Sequence, residues 1–188
     1  MEAGKSRVNL PNIITLMRIV LVPVIIWAIA SQQMKLAFVI FVVAGISDAV
    51  DGFLAKRFNM VTDIGALLDP VADKALLVSI YMTLGIADFI PRWLVILVVS
   101  RDVMIVGAVI ISWLLENPIP MKPLMVSKLN TVAQVAFAAL VLASLGFGFQ
   151  AGAFETILVG AVAVLTVLSM SFYLVEWARH MSTTEPSP

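Results

Sequence analysis

The chain has 188 residues, of which 61% are apolar and 13% charged, with twelve basic side chains against twelve acidic. Soluble domains are roughly a quarter charged. Half that share, with a mean hydropathy of +1.05, reads as an integral membrane protein. A formal net charge of zero excludes a global basic field for nucleic acid, and the lack of cysteine excludes disulfides, thiolate metal ligands and a cysteine nucleophile.

Six apolar segments are predicted in one all-α membrane domain covering 1–188, with a short N-terminal segment 1–10 and a polar tail 178–188. The first runs from about Asn12 to Ala30 and ends at Ser31-Gln32-Gln33. Lys5 and Arg7 before it, and Ala28-Ile29-Ala30 at its end, resemble a cleavable leader. Arg18 interrupts the apolar run, however, and the stretch is long enough to cross a bilayer, so a retained span is expected. The second covers about Lys35–Ala55 and holds Asp48 and Asp51 in its last turns. After a polar loop, Lys56–Asp63, the third covers about Ile64–Ala87, with Asp69, Asp73 and Lys74 in its opening turns. The fourth, about Trp93–Leu115, contains Arg101-Asp102, and a loop with Pro118 and Pro120 follows. The fifth is about Val126–Leu145, Gly146–Gly152 is a turn, and the sixth is about Phe154–Trp177.

Basic residues give the orientation. With the N-terminus cytoplasmic, inside segments hold Lys5, Arg7, Lys56, Arg57, Lys122, Lys128 and Arg179, whereas outside loops hold only Lys35 and Arg92. An even number of spans returns the C-terminus to the cytoplasm. Trp93, Trp113 and Trp177 fall near span ends, as interfacial anchors do.

Asp48/Asp51 and Asp69/Asp73 are spaced i,i+3 and i,i+4, which puts each pair on one helix face. Acids in membrane segments are costly and therefore functional candidates. Four of them at the cytoplasmic ends of two neighbouring helices would repel one another unless a cation neutralised them. With no cysteine and only His180 for imidazole, the site suits oxygen-loving cations, Mg²⁺ or Mn²⁺. Two ions roughly 3.5–4 Å apart would clamp a phosphoryl group. Gly52, Ala55 and Gly65 would let a bulky ligand approach the backbone. A solvated hairpin does not need this phasing. A transporter pathway, the reading from another class alongside a non-catalytic scaffold, would favour acids nearer mid-membrane.

The stretch Asp48-Ala-Val-Asp51-Gly52-Phe-Leu-Ala55-Lys56, eight residues, then Gly65-Ala-Leu-Leu-Asp69-Pro-Val-Ala-Asp73, resembles the pattern D-x-x-D-G-x-x-A-R…G-x-x-x-D-x-x-x-D of the CDP-alcohol phosphotransferases. The four acids, both glycines and the alanine match in spacing. The family arginine is replaced by Lys56, with Arg57 next to it. A lysine keeps the charge but loses the planar fork that grips phosphate.

The resemblance implies that Asp48, Asp51, Asp69 and Asp73 ligate the ions and that Asp73 also acts as general base on the acceptor hydroxyl. It places the CDP moiety of CDP-diacylglycerol against Gly52, Ala55 and Gly65, with Asn12, Thr15, Lys56 and Thr62 nearby. It implies a homodimer.

Within the family, Leu10–Arg18, Leu68–Lys74, Ser100–Val103 and Lys122–Thr131 look like the phosphatidylglycerophosphate synthase and eukaryotic-type cardiolipin synthase branch. The acceptor is then glycerol 3-phosphate or phosphatidylglycerol. Both carry a phosphate, and Arg18, Arg57, Lys74, Arg101, Lys122 and Lys128 are candidates to meet it. Snorkelling to headgroups is the other role open to each cation, and Arg101-Asp102 is equally readable as an internal pair that orients helices.

Overall fold

The structure, a computed structural model, describes the backbone of residues 10–57, 63–114 and 125–183, and the side chains of 17–48, 50, 74–107 and 125–179. Six helices account for these residues: α1 (Leu10–Ala30), α2 (Met34–Arg57), α3 (Asp63–Ile86), α4 (Arg92–Leu114), α5 (Met125–Phe147) and α6 (Ala153–Thr183). Each lies within a few residues of a predicted segment, apart from two longer ends. Lys56 and Arg57, expected in a loop, continue α2. The first six residues of the expected polar tail continue α6, carrying Arg179 and His180.

Three helix ends stop in left-handed turns. Gln32 (φ 59°) follows α1, and the Gln33 and Gln32 amides donate to the Ala28 and Ile29 carbonyls. Asp88 (φ 58°) repeats the device after α3, with Phe89 and Asp88 donating to Leu84 and Gly85. Both are Schellman ends, which satisfy carbonyls that the helix leaves over. Gly148 (φ 71°) ends α5 through a single bond to Ser144, and there glycine removes the steric cost of the conformation. These turns fold α1–α2, α3–α4 and α5–α6 into three helical hairpins.

The hairpins assemble into a ring. In spatial order α1 packs on α2, α2 on α5, α5 on α6, α6 on α4, α4 on α3 and α3 on α1. Among the described residues α2 and α3 share no direct contact, and α1 packs against both. A further contact of α3 with α5 crosses the ring and divides it into two compartments.

The apolar core lies toward the short turns. Ile25, Ile29, Ile80, Leu84, Leu94, Val98, Phe137 and Leu142 are fully buried there. Toward the other end the buried side chains turn polar: Arg18, Arg101, Asp102, Asn130 and Ser169. Between them, Tyr81 donates to the Gln134 carbonyl (3.1 Å) and Thr166 to Asn130 Oδ1 (3.0 Å).

The outer faces stay apolar. Trp27, Trp93, Ile96, Val106, Phe154 and Ile157 are all more than half exposed, which suits lipid better than water. By length and composition, α5 and Ala153–Arg179 of α6 are each able to cross a membrane, and Met17–Ala30 and Lys74–Ile86 are shorter apolar helical stretches among the described residues.

Candidate functional site

Arg18, in the middle of α1, is 4% exposed, because α2 and α3 both pack around its helix. Its guanidinium donates to the Asp48 carboxylate of α2. Asp48 itself is 42% exposed, so the pair has one buried and one open end. The open end faces a cavity of about 490 Å³ in the α1–α2–α5–α3 compartment. Arg18, Asp48 and Lys74 form its charged end, and Phe41, Ala44, Leu76, Leu77, Val135 and Ala139 contribute apolar wall. Thr131 of α5 adds a hydroxyl. Such a space accepts a molecule that is anionic at one end and apolar along its length.

Across the α3–α5 divide lies a second polar cluster. Arg101 of α4 is 2% exposed. Its Nη1 donates to Asp102 (2.6 Å), Nε and Nη2 donate to Ser169 of α6 (3.2 and 3.0 Å), and Nη2 also donates to Ser127 of α5. The guanidinium carbon stands 5.9 Å from the Tyr173 ring centre, within cation–π range. A buried charge is tolerated when paired and hydrogen-bonded, and these contacts give the guanidinium partners from three helices, while Asp102 Oδ2 is buried with no partner among the described residues. The internal-pair reading of Arg101-Asp102 therefore describes what its side chain touches. Lys74 Nζ reaches the same Asp102 oxygen at 2.7 Å. Lys74 thus belongs to both compartments, lining the cavity on one side and pairing with α4 on the other.

Of the predicted site residues, the structure brings Arg18, Asp48 and Lys74 to one cavity. Lys128 is exposed on α5. Asn12, Thr15, Asp51, Gly52, Ala55, Lys56, Arg57, Gly65, Asp69 and Asp73 have described helical backbone, but their side chains lie outside the described residues; Thr62 and Lys122 lie outside them altogether. Among the described residues no three metal-ligating side chains cluster. The one motif acid whose side chain is described, Asp48, lines the cavity and pairs with Arg18. Ser169 is a partner the sequence reading missed. Its signal was a polar residue at i+3 from Thr166 inside an apolar helix, one that places both on the inward face.

Among the described residues, the all-helical fold places Arg18, Asp48 and Lys74 at one charged end of a largely apolar cavity. The chain belongs to the CDP-alcohol phosphatidyltransferase family, whose sequence model matches residues 8–173. It is 33% identical over 181 residues to the CMP-forming cardiolipin synthase of Rattus norvegicus, covering 88% of this chain and 60% of that one. It is 32% identical over 177 residues to the CDP-diacylglycerol–glycerol-3-phosphate 3-phosphatidyltransferase of Bacillus subtilis, covering 86% and 91%. A probable phosphatidylglycerophosphate synthase of Mycobacterium tuberculosis is 39% identical over 107 residues, 53% of this chain and 51% of that one. The chain spans about three fifths of the length of the mammalian relatives it matches.

Proposed function

We propose that the chain transfers a phosphatidyl group from CDP-diacylglycerol to the hydroxyl of a phosphate-bearing glycerol acceptor and releases CMP. The observation that carries this reading is the cavity. It gathers Asp48, from the first half of the acid motif, and Lys74, next to the last acid of the second half, at one charged end with Arg18. Apart from the Thr131 hydroxyl, the remaining wall is apolar, as a lipid substrate needs.

In this reading Asp48, Asp51, Asp69 and Asp73 hold two Mg²⁺ or Mn²⁺ ions, which when bound supply charge neutralisation at the phosphates. Asp73 takes the proton from the acceptor hydroxyl. The acceptor oxygen forms a bond to the lipid-side phosphorus, and the bond from that phosphorus to the oxygen of CMP breaks. Positioning and electrostatics supply most of the rate in such transfers. Gly52, Ala55 and Gly65 leave room for the CDP moiety, beside Asn12, Thr15, Thr62 and Lys56. The six helices are read as six spans, with both termini and the site cytoplasmic, and the chain as a homodimer.

Glycerol 3-phosphate is the acceptor proposed first, supported by the relative from Bacillus subtilis, which the alignment covers over 91% of its length. Phosphatidylglycerol is the second, supported by the relatives named cardiolipin synthase and by the apolar walls of the cavity.

The test is CMP release by the purified chain in lipid vesicles, with each acceptor in turn and products identified by mass spectrometry. Activity is expected to vanish with a chelator and return with Mg²⁺ or Mn²⁺. Turnover that survives Asp69→Ala or Asp73→Ala would overturn the mechanism. Ion flux lost in Asp48→Ala, with no CMP released by the unaltered chain, would replace it by a transporter.

A further inference from the structure

We propose that Asp102 is a positioning residue that holds the Lys74 ammonium at the charged end of the cavity, where Lys74 meets the phosphate of the acceptor. This rests on the reaction proposed above. A lysine head on a four-carbon stem is a mobile point charge that tends to snorkel toward water. Here it is anchored from a neighbouring helix, 2.7 Å from Asp102 Oδ1.

The anchor is itself buried and paired. Asp102 is 9% exposed, and the same oxygen accepts Arg101 Nη1 at 2.6 Å. Arg101 is fixed in turn by Ser127, Ser169 and the Tyr173 ring. The chain of contacts therefore runs from α5 and α6 through α4 to a cation on α3.

Charge favours an anion at the end of that chain. Arg101 and Lys74 share one carboxylate, which leaves a net positive charge, and Lys74 is the member that borders the cavity. An ammonium has three donors, and among the described residues Asp102 accepts one of them. Depth points to the acceptor. Nine residues of helical rise set Lys74 about 13 Å along α3 from Gly65, where the nucleotide is placed.

The experiment measures KM for acceptor and for CDP-diacylglycerol in Lys74→Gln, Asp102→Asn and the double variant, using whichever acceptor supports turnover. Loss of one charge-assisted contact predicts a rise of roughly tenfold in acceptor KM for each single variant. KM for CDP-diacylglycerol is expected to stay within about twofold, since each lost contact lies on the acceptor side. The double variant is expected to be no worse than Lys74→Gln, because both remove the same contact. Additive losses, or a shift in the CDP-diacylglycerol KM instead, overturn the proposal.

Asp102→Asn strips the counter-ion from buried Arg101 and risks misfolding. If it does not fold, Asp102→Glu replaces it, and its acceptor-KM defect should disappear in the Lys74→Gln background; an equal defect in both backgrounds overturns the proposal. A second readout needs no turnover. Acylation of Lys74 by an amine reagent, followed by peptide mass spectrometry, should be several-fold faster once the Asp102 contact is altered, and an unchanged rate would also overturn it. An unaltered chain that releases no CMP with either acceptor sinks the reaction, while the acylation rate still decides the positioning.

Discussion

Arg18 and Asp48 join α1 to α2 by a salt bridge whose arginine is buried and whose aspartate is half-exposed at the cavity. The pair therefore has a structural end and a chemical end, and the two separate by mutation. Asp48→Asn removes one charged partner from a buried guanidinium. Because the carboxylate is partly solvated, the cost should fall to about 1–2 kcal/mol, below that of a fully buried pair. The combined Arg18→Met/Asp48→Asn variant should regain most of that stability but no CMP release. Thermal unfolding in detergent, run beside the CMP assay, checks both halves.

Ser169 and Ser171 stand two residues apart on α6 and predict opposite outcomes. Ser169 Oγ accepts two donors from Arg101, so Ser169→Ala leaves part of a buried guanidinium unsatisfied, at about 1–3 kcal/mol. The exposed Ser171 hydroxyl donates only to the Val167 carbonyl of its own helix, and Ser171→Ala should be close to neutral. Equal unfolding temperatures for the two variants would contradict the Arg101 cluster.

Two glycines mark close helix approaches of different kinds. A Cβ on Gly85 would stand 2.5 Å from Val95 Cγ2, whereas one on Gly146 would stand 3.0–3.1 Å from the backbone of Met34 and Lys35. Gly85→Ala should destabilise the α3–α4 hairpin, and Val95→Ala should rescue it by removing the obstructing methyl. Gly146→Ala meets main chain, so no side-chain change at Met34 or Lys35 should rescue it. Unfolding midpoints of these variants distinguish the cases.

Lys56 stands where the family pattern has arginine, and Arg57 follows it at the end of α2. If Lys56 serves the donor phosphates, Lys56→Ala should raise the KM for CDP-diacylglycerol by roughly tenfold, and Arg57→Ala by much less. The reverse ranking assigns the role to Arg57. Lys56→Arg, which restores the fork, is expected to lower that KM.

The six helices were legible because long charge-poor runs separated by polar or glycine-rich turns have few alternative readings. Gln33 and Gly148 fall where the turns were expected, since each breaks an apolar run. The pairing of the helices was less legible. Lys74 and Asp102 lie 28 residues apart, and no periodicity marks a contact between two helices that meet only through tertiary packing. Arg101 announced that it needed partners, as any charge in an apolar helix does. Ser127 and Ser169 gave no comparable sign, because a serine in an apolar helix is as often satisfied by its own backbone, as Ser171 is here. Of the cavity's charged end, sequence spacing supplied the residues, and the ring order of the helices supplied their meeting.

On the proposed six-span reading, the hairpin pairing of α3 with α4 also bears on how the chain enters a bilayer. Lys74, Arg101 and Asp102 are charges within these two helices, and the ion pairs Lys74–Asp102 and Arg101–Asp102 both lie within that single hairpin. Pairing of both cations with Asp102 at the moment of insertion therefore does not wait for α5 and α6 to be synthesised. Those later helices add hydroxyls and an aromatic face to a charge already partnered, so the order of synthesis and the order of electrostatic need coincide.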